Sequence, residues 1–394
     1  MPPEVSQPSR LTSPAAAVAA AAHLAPRLLA QAAHTDEVGG FPTQEFGWLR
    51  EAGLLTAALP PALGGVGLGE PAAALALLQV LYHIGRGNLA VGRLFEGHVN
   101  ALLLIQRFGK PAQVAAYAAD ARAGHLFGVW NTENPAHGVR LDFLAGGTYR
   151  LHGAKTFASG AGHITRPLLT GALPGHHGWQ MLVLPADEQR PKLDRSFWRP
   201  LGMRATASFI ADLERLEISA NCLLGKPNDY YQQPWFGGGA VRFAAVQLGG
   251  AAAVLDETRR FLRRLGRIDD PYQRQRLGEM LTLHEAGQVW LQGAATHVVL
   301  PTQPGPAPLP AQVTAATTYA NLMRTATESI CLNTLQLAER SVGARGLLQP
   351  EPFERLHRDL THYLRQPAPD AILADAGRFA LESDKPSFEL WPRL

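Results

Sequence analysis

The feature that most constrains this chain is a change of period in its middle. Residues 124–225 break into short runs: LFGVWNTE, GTYRLHGAKTFASGAG, RPLLTGAL, WQMLVLPA and ASFIADLERLEIS. β-Branched and aromatic residues fill these runs and Gly and Pro punctuate them, which reads as strands. FLAGGTYRLHG reads as a hairpin turning on its Gly-Gly pair. On either side, apolar residues recur every three or four positions, the period of an amphipathic helix. A compact β-region between two helical blocks is an uncommon order, and it narrows the possible folds considerably.

The first helical block runs to about residue 123, with apolar periodicity over 43–53, 71–85, 92–109 and 111–123. The Ala-rich SPAAAVAAAAHLAPRLLAQAA (13–33) reads as an opening helix, because Ala is the strongest helix former and His23 and Arg27 interrupt any leader-like run. PPALGGVGLGEP (60–71) is a Pro/Gly loop, and its glycines do not follow the dinucleotide-binding spacing. From about residue 226 three long amphipathic stretches follow, at 237–266, 271–299 and 311–341, with a shorter one at 352–365. The Pro-rich PTQPGPAPLP (301–310) must lie between helices. The expected fold is α+β and mainly α: an N-terminal all-helical domain (1–123), a central small β-barrel or sandwich (124–225) and a C-terminal four-helix bundle (226–394).

Composition excludes several function classes. A net charge of +3 over 394 residues gives no electrostatic case for nucleic acid. The densest basic run, RRFLRRLGR (259–267), reads as a solvated helix face. Two distant cysteines, Cys222 and Cys331, support neither a disulfide framework nor a thiolate metal site, and no HExxH-like spacing occurs, so no metal is expected. GHHG (175–178) reads as a surface turn. No run of 18 strongly apolar residues is evident, so no membrane span and a cytoplasmic location are expected.

Motifs in this order resemble the acyl-CoA dehydrogenase superfamily. LREAGLLTAALPPALGGVGLG (49–69) looks like its N-terminal signature, GVWNTENP (128–135) its flavin-contacting strand and YRLHGAKTFASGAG (149–162) its paired hairpin. AAVQLGGAAAVLDET (244–258) resembles the first bundle helix, and ERLHRD (354–359) the last. The resemblance implies FAD, with FMN as the alternative, and a homo-dimer or tetramer. Trp130 and Thr132 alternate along one strand, so they are expected on one side, and Phe157 and Ser159 repeat that arrangement. From the residues alone Trp130 and Phe157 read as core; the resemblance makes all four flavin-contacting. It also leaves Arg345, in ERSVGARG (339–346), as a candidate phosphate contact. Lys155 is expected in a structural ion pair.

The chain departs from the family where the chemistry lies. An acyl-CoA dehydrogenase needs a carboxylate to remove the α-proton. One family position for that Glu, counted from Arg358, is Pro367; the other, if Arg242 is the family arginine, is Val241. Asp370 is a weak substitute, with a helix N-cap as its ordinary role. Glu133 is a weaker one with an expected structural role, and His362 and Tyr363 are possible acid/base groups whose default is exposed surface. The adenine-side Glu-Arg-x-x-Phe-Gly is replaced by RRLGRIDDP (263–271), which puts Asp269 and Asp270 near expected phosphates.

The leading expectation is therefore a dehydrogenase-type flavin oxidoreductase. It would act on the CH–CH group of an acyl-CoA or other acyl thioester with a relocated base, and pass electrons to a partner. The alternative is a flavin-dependent monooxygenase on the same fold, using oxygen and a small aromatic or aliphatic substrate without any α-proton base. A non-catalytic homologue used for assembly is the third.

Overall fold

The computed structural model describes residues 11–175, 177–298 and 308–391. Most of the Pro-rich connector and His176 of the GHHG pair lie outside the described residues. Among the described residues five α-helices come first: α1 (Pro14–Val38), α2 (Thr43–Glu51), α3 (Ala74–Gly87), α4 (Leu89–Phe108) and α5 (Pro111–Ala123). Ser13 caps α1 by accepting the Ala16 N–H at 3.1 Å, and Gly39, at φ 64°, ends it in left-handed geometry.

Ten strands follow: β1 (Phe127–Trp130), β2 (Arg140–Leu144), β3 (Thr148–His152), β4 (Ala154–Ala158), β5 (Arg166–Ala172), β6 (Trp179–Val183), β7 (Lys192–Asp194), β8 (Phe209–Asp212), β9 (Glu217–Ser219) and β10 (Leu223–Leu224). Seven form one sheet in the order β10-β6-β5-β2-β3-β9 with β1 parallel to β5, and β4-β8-β7 form a second sheet. The β2–β3 hairpin turns on Gly146 and Gly147, both at positive φ, as the Gly-Gly reading requires.

The chain then returns to helix as α6 (Trp235–Gly238), α7 (Ala240–Arg264), α8 (Pro271–His297), α9 (Pro310–Gly346), α10 (Phe353–Tyr363) and α11 (Pro369–Leu381). The fold is mainly helical, with helical parts on both sides of the sheet region. α7 packs on α8, α9 and α10, and also on α3 of the first helical part. Its backbone comes so close to α3 that a Cβ on Gly249 would stand 2.1 Å from the Tyr82 carbonyl oxygen. By length and composition Trp235–Arg264 would span a membrane, a run the sequence reading passed over; 89% of its apolar window is buried in the fold. It is the central core helix, and it fixes where Val241 and Arg242 stand.

Candidate functional site

Two side-chain clusters meet at the C-terminal end of α10. The first lies on the sheet side. β4 pairs with β8 in a register that shifts between Lys155 and Ala158, and the irregularity re-aims Phe157. Phe157 sits at φ 50°, a left-handed conformation that costs an L-residue about 1–2 kcal/mol, and it remains 49% exposed. Its ring meets Phe197 and Trp198 edge-on at 5.2 and 6.1 Å, and Trp198 meets His362 of α10 at 5.7 Å. Burial holds the His362 imidazole below the ordinary histidine range.

A line of hydroxyls supports this face from behind. Ser159 Oγ lies 2.9 Å from Ser208 Oγ, which lies 2.8 Å from Thr206 Oγ1. Thr206 donates to the Met203 carbonyl at 2.9 Å, and Met203 N–H donates to Asp359 of α10 at 2.6 Å. Met203 and Ala207 are also at positive φ, so backbone strain concentrates beside this face. Gly202 lets the loop lie on α10, since a Cβ there would fall 2.3 Å from the Arg358 backbone. Burial raises the Asp359 carboxyl to about 6. Arg358 binds Asp36 at 2.6 Å and Glu354, so this Arg-Asp pair anchors α10 in the fold.

The second cluster is buried between α4, α7 and α10. Arg93 Nη1 donates to Glu96 Oε2 at 2.8 Å, Asn100 Nδ2 donates to Oε1, and Arg242 Nε donates to Asn100 Oδ1. Tyr230 and Tyr363 lie within electrostatic reach of Glu96 and Arg93, and burial pushes both phenols above the ordinary tyrosine range. Among the described residues the buried Tyr363 hydroxyl has no hydrogen-bond partner. Tyr231 links back to the sheet by donating to Asn131 Oδ1 at 3.2 Å. Arg242 and Val241 also wall a small apolar cleft of about 60 Å³, with Leu78, Leu103 and Ala294 among its lining.

The expected site residues separate in space. Trp130 is 1% exposed and donates its indole N–H to the Ser159 carbonyl at 2.9 Å, so it props β4 from inside rather than forming an open floor. Thr132 lies beyond the end of β1, exposed, and the expectation of one shared side fails because the strand stops between them. Arg345 is exposed at the far end of α9, and no hydrogen bond or ion pair among the described residues joins it to either cluster. Asp370 is exposed in the first turn of α11, one residue past Pro369, so it is not the N-cap; Ala368 holds that position. Pro367 is exposed, and its carbonyl accepts from Arg324. Lys155, itself fully buried, forms the expected ion pair with a partly exposed Glu133.

Tyr363 is buried rather than exposed, because α10 turns it toward α4. Arg93, Glu96 and Asn100 were not singled out from the sequence. Their signal was charge and amide at positions three and four apart within an otherwise apolar helical run, GRLFEGHVNALLL. Asp270, by contrast, caps α8 by accepting the Tyr272 N–H at 2.9 Å, and Asp269 binds Arg274 at 2.5 Å.

These residues fit the ring of a flavin better than its adenine end. The exposed Phe157, its aromatic neighbours and the unengaged Thr132 hydroxyl offer a flat apolar surface with a polar edge. The acidic pair at 269–270 is occupied by local structure, and Arg345 stands apart.

Comparison with known proteins fixes the lineage. The acyl-CoA dehydrogenase N-terminal domain family matches residues 15–125, and the acyl-CoA dehydrogenase C-terminal domain family matches residues 230–363. The chain belongs to the acyl-CoA dehydrogenase superfamily. Within that superfamily it is 26% identical to a dibenzothiophene monooxygenase of Mycolicibacterium goodii, covering 89% of this chain and 90% of the relative. The corresponding protein of Rhodococcus erythropolis is also 26% identical, with 94% of each chain covered. Among solved structures, FMN-bound TdsC from Paenibacillus sp. A11-2 superposes with a TM-score of 0.84 at 21% identity, covering 94% of this chain and 98% of that one. That likeness shows the fold of this acyl-CoA dehydrogenase-type chain.

Proposed function

We propose that this chain is a flavin-dependent monooxygenase, which takes up reduced flavin and oxygenates a small, largely apolar substrate. The observation that carries the reading is the chemistry of the two dehydrogenase base positions. Pro367 has no acid group, and Val241 presents a hydrocarbon wall to the apolar cleft. Glu96, the nearby buried carboxylate, has both oxygens engaged by Arg93 and Asn100, so it anchors cations rather than waiting for a proton. The superfamily relatives named dibenzothiophene monooxygenase favour the same reading over the dehydrogenase expectation.

Bound reduced flavin would supply the two electrons with which dioxygen is divided between product and water. The chain's own residues do the rest. Phe157, Trp198 and the Thr132 hydroxyl would hold the ring, while Trp130 and the Ser159–Ser208–Thr206 line keep that surface in place. His362, neutral by burial, and the unpartnered Tyr363 hydroxyl stand at the junction of the two clusters as hydrogen-bond donors or proton carriers. FMN is favoured over FAD, since the adenine-side residues are spent on the α8 cap and the Asp269–Arg274 pair.

The test supplies the purified chain with FMN, a separate NADH-dependent flavin reductase and ¹⁸O₂. Label should enter an apolar acceptor such as dibenzothiophene or another aromatic from a panel, and anaerobic acyl-CoA should leave the flavin absorbance unchanged. Bleaching by acyl-CoA with release of the enoyl thioester would instead establish the dehydrogenase reading. A chain that binds no flavin would overturn both.

A further inference from the structure

The buried polar cluster carries an unbalanced charge. Arg242 is buried and Arg93 partly so, and the cluster's carboxylate, Glu96, bonds Arg93 directly. Arg242 reaches it only through Asn100, and its terminal nitrogens make no hydrogen bond among the described residues. No carboxylate among those residues lies within ion-pair distance of Arg242. Tyr230 and Tyr363 are neutral phenols at any physiological pH, so they offset nothing. Two guanidinium cations against one carboxylate leave one positive charge, and buried charge is costly unless a partner arrives. Burial pulls the Arg242 guanidinium below its ordinary range, as an incompletely compensated cation requires.

Arg242 also stands in the wall of the apolar cleft. A second, independent observation comes from the same cluster: the Tyr363 hydroxyl, within electrostatic reach of Glu96 and Arg93, is buried with no hydrogen-bond partner among the described residues. We infer that Arg242 is the specificity residue of the substrate cleft, and that the substrate is an apolar monocarboxylate whose head group pairs with this guanidinium. The planar guanidinium fork suits a carboxylate, and the apolar lining suits the hydrocarbon body. Glu70 also lines the cleft, without an ion pair to Arg242, and it disfavours a second anionic group there. The inference rests on reading this cleft as the substrate side of the proposed monooxygenase.

The test is calorimetric titration of the flavin-free chain with octanoate, its neutral counterpart octanamide, and the dicarboxylate suberate. Octanoate should bind at least ten-fold more tightly than octanamide, and suberate more weakly than octanoate. Arg242→Gln should erase the preference for octanoate, while Arg242→Lys retains part of it. Should Arg242→Gln fail to fold by circular dichroism, Glu96→Gln decides. It keeps Arg242 and removes the carboxylate that offsets charge within the buried cluster, so octanoate affinity should rise several-fold. Equal binding of octanoate and octanamide, no binding of either, a preference that survives Arg242→Gln, or an unchanged Glu96→Gln would overturn the inference. Flavin and oxygen are absent from this titration. Its failure therefore leaves the monooxygenase reading intact, and failure of oxygen transfer leaves the carboxylate site intact.

Discussion

The indole N–H of Trp130 donates to the carbonyl of Ser159 at 2.9 Å, joining the end of β1 to the turn that follows β4. The donor comes from a side chain packed in the core, and the acceptor lies two residues from the exposed, strained Phe157. Trp130→Phe keeps most of the apolar bulk and removes the donor. Leaving that carbonyl unsatisfied should cost about 1–3 kcal/mol, read as a lower urea midpoint, and flavin affinity should fall with it. A midpoint equal to wild type would show that water replaces the indole without loss.

The architecture was legible because it rests on period. Helix and strand repeats, the Gly-Gly hairpin and the order of motifs survive without knowledge of tertiary contacts. The site was legible only in part. Trp130 and Thr132 alternate in sequence, yet β1 ends at Trp130 and Thr132 belongs to the loop beyond, so strand parity did not apply. Tyr363 looked like surface because one helical turn does not reveal that α4 covers it. Arg93, Glu96 and Asn100 become a cluster only when the start of α7 brings Arg242 alongside.

Asp370→Asn should leave oxygen transfer within two-fold of wild type. Asp370 is exposed on α11, and among the described residues it contacts neither His362 nor Tyr363. As an N-terminal acid it interacts weakly with the helix dipole, so thermal stability should drop by less than about 1 kcal/mol. A ten-fold fall in turnover would return it to the list of proton-transfer groups.

Among the described residues of the sheet region, Lys155 and Glu133 make an ion pair whose cation is fully buried. Lys155 is 0% exposed, with Thr170 Oγ1 at 3.2 Å, and Glu133 Oε2 also accepts the Val139 N–H at 2.8 Å. Burial pulls the amine below the ordinary lysine range. Lys155→Met strands the partner carboxylate and should destabilise the fold by about 3–5 kcal/mol. Adding Glu133→Gln removes the stranded charge, so the double variant should recover part of that loss. Additive losses in chemical denaturation would refute direct coupling.

His98 on α4 gives the fold a defined sensitivity to acid. Its Nε2 lies 2.7 Å from the Leu55 carbonyl and its Nδ1 lies 3.1 Å from the Phe127 backbone nitrogen. A carbonyl only accepts and a backbone N–H only donates, so the proton sits on Nε2 and the ring is neutral. Burial holds its pKa at about 4, against an ordinary 6.5. The unfolded chain therefore binds a proton between pH 6.5 and 4 that the folded chain refuses. The stabilisation is complete above pH 6.5 and lost as pH falls toward 4. A shift of this size corresponds to roughly 3 kcal/mol at about 1.4 kcal/mol per unit. His98→Asn keeps an acceptor for the Phe127 N–H but does not titrate. Between pH 7 and 4 the unfolding free energy of the wild type should fall more steeply than that of this variant, by roughly 3 kcal/mol. Parallel pH profiles for the two proteins would show that His98 titrates in the folded state much as it does in the unfolded chain.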